Sequence, residues 1–275
     1  MVMLTPEAIR AVDSLDECPG VMTTRRHVIR EHDGWEQIVY IYEPEQPCKG
    51  PRPTLVLVHG GGFCIGDPIS QTPIARYLAL HFGITTISPS YRLGAPETPT
   101  YPAPLEDIAF AWEWARNHAA EWNLDAGKMF VGGSSAGGTL SALSLTKGML
   151  PNCRGLVEYW GPLDFICRWF DNGEKSGGEL NLLGCNYPEN PTLFHEASAL
   201  AHVKPGLPPA VFIYGIQDTT VHKRQGLLGV AAWKSVSAHA EYYEFDNIGH
   251  GIIGDNTESM VQVMLRTGVF LQSLL

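Results

Sequence analysis

The sequence predicts an α/β fold built on a mostly parallel, eight-stranded sheet with helices on both faces. Three observations lead there. From residue 54 to the C-terminus, short apolar runs alternate with longer stretches of helical periodicity, the pattern of βα units wound onto a parallel sheet. The run over 54–58 is continuously apolar rather than alternating, as a strand covered on both faces should be. Before it, Asp33-Gly34 separates two alternating runs, the strongest short signal for an antiparallel hairpin.

The elements follow in order. Residues 1–24 read as a short helix with Thr5 as cap and Pro6 in its first turn, broken at Pro19-Gly20. Strands over 26–31 and 36–43 flank the Asp-Gly turn, and Pro51 and Pro53 close the loop before the strand over 54–58. A helix over 74–82 and a strand over 84–88 come next. The helix over 105–121 places Ile108, Trp112 and Ala115 on one face. A strand over 128–132, a helix over 136–146 and a strand over 155–159 continue the rhythm. Residues 161–206, rich in Gly, Asn and Pro, interrupt it. Strands over 210–214 and 241–245 and helices over 225–236 and 258–274 complete it. One domain spanning 1–275, with a cap-like insert at 161–206, is the economical reading.

Composition narrows the function. Of 275 residues 44% are hydrophobic and 17% charged, enough for a sizeable core. A formal net charge of −10 without a basic run argues against nucleic acid or an anionic membrane as partner. No apolar run reaches the ~18 residues of a membrane span, and no leader pattern is visible, so the expected location is cytoplasmic. Cys18, Cys48, Cys64, Cys153, Cys167 and Cys185 show neither C-x-x-C pairing nor a histidine at zinc-site spacing. Free thiols, no metal and no cofactor are expected. An exposed edge strand or the C-terminal helix could support a homodimer, although no motif marks either.

Four motifs carry chemistry. Gly133-Ser134-Ser135-Ala136-Gly137 follows a strand and opens a helix. A nucleophile on such a tight turn needs neighbours without bulk, so Ser135, flanked two residues away by Gly133 and Gly137, is the candidate rather than Ser134. His59-Gly60-Gly61-Gly62 follows the buried strand over 54–58. The Gly61, Gly62 and Ala136 amides would together hold an oxyanion, with His59 supporting the turn. Neither Gly-Lys-Ser/Thr nor G-x-G-x-x-G continues this loop, which argues against a phosphate-cradling glycine loop. Among ten histidines, His250 stands between Gly249 and Gly251 after the last strand, where a base can hang over the serine. The order Ser…Asp…His then points to Asp218, at the end of the preceding strand and 32 residues before His250, over its rivals Asp246 and Asp255. This is the chain order of an α/β-hydrolase.

Tyr91-Arg92-Leu93, Ala95-Pro96-Glu97, Pro102-Ala103 and Glu106-Asp107 add a further signature. With the glycine motifs, the chain from about residue 27 onward resembles the hormone-sensitive-lipase-like carboxylesterases of the α/β-hydrolase superfamily. That resemblance implies ester hydrolysis through an acyl-serine, with Ser135, Asp218 and His250 as triad. It also implies the Gly61, Gly62 and Ala136 amides as oxyanion hole. Two departures stand out: Ser134 occupies the place of the usual aspartate, and Gly94 interrupts the Tyr-Arg-Leu-Ala-Pro-Glu run. The N-terminal segment is also shorter than the usual helical cap. The Gly-Ser-Ser-Ala-Gly-Gly form, and the stretch from Leu182 to Val203, are more similar to bacterial acetylxylan- and feruloyl-esterase-like hydrolases.

The expected substrate is a small, short-chain acyl or aryl ester. Phe63, Tyr101, Trp160 and Trp169 are candidate pocket residues, with Phe165 and Phe170 available in the insert. Aromatics in a short insert equally well form its own small core. The same machinery would also serve an arylformamidase, lactonase or small peptidase. A non-catalytic small-molecule receptor on this fold would be expected to lack a triad member.

Overall fold

The computed structural model describes residues 19–251 and 257–275. Cys18, Asp255 and the helix expected near the N-terminus lie outside them, and residues 21–24 belong to the first strand rather than to a helical segment.

Eight strands form one sheet in the order β1-β2-β4-β3-β5-β6-β7-β8. Its hairpin is β1 (Val21–His32) and β2 (Trp35–Pro44). Asp33 and Gly34 both have positive φ, 50° and 78°, the two-residue turn whose twist matches its strands. The strand β2 pairs antiparallel with β4 (Thr85–Pro89). Everything beyond is parallel: β3 (Arg52–Val58), β5 (Leu124–Ser134), β6 (Leu156–Tyr159), β7 (Ala210–Gly215) and β8 (Ala240–Phe245). In β3 the residues Leu55 to Val58 are wholly buried, as its unbroken apolar run demands.

Helices α1 (Thr72–Phe82) and α8 (Thr257–Ser273) pack together, as do α2 (Ala103–Asn117) and α3 (Ala136–Thr146). The helix α7 (Arg224–Ser235) packs on β7 and β8. The helix expected over 105–121 starts earlier and stops at Asn117. There the Trp114 carbonyl accepts both the His118 ring Nδ1–H, at 2.8 Å, and the His118 backbone N–H, at 3.0 Å. No described helix is long and apolar enough to cross a membrane.

The insert at 161–206 carries three short helices, α4 (Phe165–Asp171), α5 (Glu179–Leu183) and α6 (Pro191–Glu196). Phe165 meets Phe194 and Phe63 edge to face, at 6.4 and 6.1 Å. Those contacts join the insert's small core to the loop after β3.

Candidate active site

The register of the sheet brings the loops together. Val58 at the end of β3 lies directly beside Gly133 near the end of β5, so the loop beginning at His59 leaves the sheet next to the turn at Ser135. Ligand sites of open α/β sheets lie at these carboxyl ends.

The turn at Ser135 is tight. Ser135 has φ 54° and ψ −122°, a conformation that costs energy and persists only where the surroundings enforce it. Its N–H donates to the Tyr159 carbonyl at 2.8 Å, and α3 starts at the next residue. A side chain on Gly137 would collide with the carbonyl oxygens of Val58 and His59, and one on Gly133 with the Gly137 backbone. Gly137→Ala is therefore expected to cost about 3 kcal/mol or more of stability, read from the denaturant midpoint, and to abolish turnover.

Ser135 Oγ lies 2.7 Å from His250 Nε2, and His250 Nδ1 lies 2.8 Å from Asp218 Oδ2. The Asp218 carboxylate can only accept a hydrogen bond, so Nδ1 carries the ring proton and donates, which leaves Nε2 as the acceptor for the serine hydroxyl. The second carboxylate oxygen, Oδ1, accepts the N–H groups of Thr220 and Val221, both at 2.8 Å. The Asp218 side chain is fully buried and that of His250 is 22% exposed. Asp246 is exposed, and His250 turns to Asp218, far along the chain but on the loop that follows the neighbouring strand β7.

The loop after β3 is organised by its carbonyls. His59 Nδ1 donates to the Gly60 carbonyl at 2.8 Å, and a trans peptide then sends the Gly61 N–H the opposite way. The Gly61 carbonyl accepts from Cys64 and Ile65 N–H at 3.1 and 3.0 Å, which likewise directs the Gly62 N–H. Among the described residues, the loop and turn hydrogen bonds leave the Gly61, Gly62 and Ala136 amides without a protein acceptor. The His59 ring is buried and stacked on Tyr91 at 4.4 Å. Burial disfavours its cation and lowers its pKa, keeping it a neutral Nδ1–H donor. It is a support for the loop, as its position before three glycines suggests.

A cavity of about 690 Å³ opens over these groups, lined by Gly61, Gly62, Ser135, Ala136 and His250. Of the four expected pocket residues, Phe63 and Trp160 line it. Tyr101 and Trp169 do not. The Tyr101 hydroxyl turns to Glu196, donating to its carboxylate at 3.2 Å, and Trp169 packs on Tyr187 at 6.2 Å. Tyr101 thus tethers the insert from outside, and Trp169 packs within it.

Residues 39–229 match the family model BD-FAE. The chain belongs to the BD-FAE family. Over 102 residues it is 37% identical to Esterase LipI of Mycobacterium tuberculosis, covering 37% of this chain and 31% of LipI. Over 113 residues it is 41% identical to Carboxylesterase NlhH of the same species, covering 41% of this chain and 34% of NlhH. The matched stretch thus spans about a third of the length of these curated relatives. Among solved structures, esterase 2 of Thermogutta terrifontis phosphoramylated by tabun superposes with a TM-score of 0.76. Its identity to this chain is 22%, with 94% of this chain and 96% of the other covered. A truncated carbohydrate esterase from gut microbiota gives a TM-score of 0.78 at 18% identity, over 92% and 95% of the two chains. At these identities the two likenesses establish the α/β-hydrolase fold.

Several residues of this BD-FAE site carry no motif. Gln71, Arg168, Glu179 and Asn181 line the cavity, yet nothing in their local sequence marks them. Glu158 did leave a signal, being an acid inside a strand buried on both sides. Its carboxyl Oε1 accepts the Gly161 N–H at 2.5 Å, and the Tyr214 hydroxyl donates to the Gly161 carbonyl at 2.6 Å. Glu158 therefore fixes the turn that enters the insert. Burial, with a smaller contribution from the charge of Asp218, pushes this carboxyl up to about 8. Because the folded state holds the proton and an unfolded chain releases it near the ordinary carboxylate range, stability falls as pH rises from that range to about 8. The isosteric Glu158→Gln removes the penalty. It is expected to raise Tm at pH 9 by roughly 5 °C or more and to change it little at pH 5, as differential scanning calorimetry would show.

Proposed function

We propose that this protein is a serine carboxylesterase that hydrolyses small, short-chain acyl or aryl esters. The observation that carries this reading is the hydrogen-bonded line Ser135–His250–Asp218, open to a cavity that Gly61, Gly62 and Ala136 also line. In the first step Ser135 Oγ attacks the ester carbonyl while His250 Nε2 takes its proton. Asp218 keeps the imidazole in the tautomer that can do so and stabilises the imidazolium. The carbonyl oxygen, now an oxyanion, is held by the three amides, with the positive end of α3 behind them. His250 then protonates the leaving alcohol, and water releases the acyl group by the same steps in reverse.

The apolar walls at Phe63 and Trp160 suit a compact acyl or aryl group. Initial rates on p-nitrophenyl esters from acetate to decanoate, wild type beside Ser135→Ala, test the proposal. A Ser135-dependent rate that peaks at short chains is expected. A folded wild type inactive at every chain length would overturn it.

A further inference from the structure

We propose, resting on the esterase reading above, that the insert is a clamp holding the oxyanion loop and the acid loop in register, with Asn181, Glu179 and Arg168 as positioning residues.

On the oxyanion side, Gly61, Gly62 and Phe63 carry φ values of 127°, 57° and 64°. Three consecutive residues with positive φ make a backbone with accessible alternatives for its glycines, so restraint must come from hydrogen bonds. His59, Cys64 and Ile65 anchor the first two carbonyls from within the loop. The Gly62 carbonyl is anchored from the insert, by Asn181 Nδ2 at 3.0 Å across 119 residues of sequence. The start of α5 also abuts the loop: a Cβ on Gly178 would sit 2.9 Å from the Gly62 Cα.

On the acid side, Arg168 Nη1 donates to the Thr220 carbonyl at 2.8 Å. Thr220 is one of the two residues whose amides grip Asp218 Oδ1. Arg168 Nε donates to Glu179 Oε2 at 2.9 Å, and Glu179 Oε1 accepts the Gly177 N–H at 2.8 Å. Arg168 is 6% exposed and Glu179 fully buried. A buried ion pair adds little stability over apolar packing. What this one supplies is geometry, since the planar guanidinium fork fixes the separation of its two acceptors. Glu179 and Asn181 stand on the same turn of α5. One short helix therefore ties Gly62 to Thr220, and so ties the oxyanion donors to the triad acid.

The test uses the full chain with Asn181→Leu, which keeps the shape and removes the donor, and Arg168→Lys, which keeps the charge and removes the fork. Each is assayed on p-nitrophenyl acetate and with an aryl trifluoromethyl ketone. The ketone carbon bonds to Ser135 Oγ, the serine proton passes to His250, and the ketone oxygen becomes an oxyanion in the hole. Both variants are expected to lose about 10- to 100-fold in kcat with KM nearly unchanged. For Asn181→Leu, the ketone's Ki should rise by the factor lost in kcat/KM. A raised KM with unchanged kcat would make these residues direct substrate contacts and overturn the proposal. So would a lowered Tm with unchanged kinetics. Should Asn181→Leu not fold, Asn181→Ala decides by the same kcat-against-KM split. Absence of Ser135-dependent turnover in the wild type would instead overturn the esterase reading.

Discussion

Ser135→Ala is expected to leave a folded protein whose kcat on p-nitrophenyl acetate is lower by roughly 10³-fold or more and which takes up no fluorophosphonate. The backbone at this position carries the strain of φ 54°, which alanine tolerates no better and no worse than serine, while the Ser135 N–H keeps its bond to Tyr159. Only Oγ and its 2.7 Å bond to His250 are removed. Circular dichroism should therefore match wild type while covalent labelling disappears. Labelling that persists in the variant would assign the nucleophile to another serine, with neighbouring Ser134 the first to examine.

Asp218→Asn is expected to lower kcat by about 10⁴-fold with little change in Tm. The reason lies in how the two carboxylate oxygens are used. Oδ1 accepts two backbone N–H groups, from Thr220 and Val221. An asparagine must therefore keep its oxygen there, because an NH2 in that place would face two donors. Its NH2 then points at His250 Nδ1, which becomes the acceptor, and the ring proton moves to Nε2. An imidazole with Nε2–H cannot take the serine proton. Steady-state kinetics with purified enzyme checks this, and a loss of tenfold or less would mean that another group sets the histidine tautomer.

Much of the candidate site was legible in the sequence because its requirements are local. A strand that turns into a helix around a strained serine needs Gly133 and Gly137, and a loop that presents amides needs Gly61 and Gly62. Asp218 and His250 could be picked by order along the chain, since each follows a strand of a parallel sheet. The strands themselves stood out as short apolar runs, and the Asp33-Gly34 turn fixed the hairpin. What lines the cavity was less legible. Phe63 is carried in by the glycine loop and Trp160 by the end of β6, so both had a local reason to be there. Tyr101 and Trp169 had only their aromatic rings; in the folded chain the Tyr101 hydroxyl holds Glu196 of the insert, and the Trp169 ring packs inside the insert. Arg168 and Asn181 reach the centre through hydrogen bonds to residues 52 and 119 positions away, which depend on how the insert docks and have no local signature.

In the proposed mechanism an acyl group passes through Ser135. The most direct test is to quench the reaction with p-nitrophenyl acetate in the first turnovers, then measure the intact protein and its peptides by mass spectrometry. One added acetyl group, confined to the peptide bearing Ser135 and absent from Ser135→Ala, is the expected result. Ester turnover with no adduct on Ser135, or with an adduct on another residue, would contradict it.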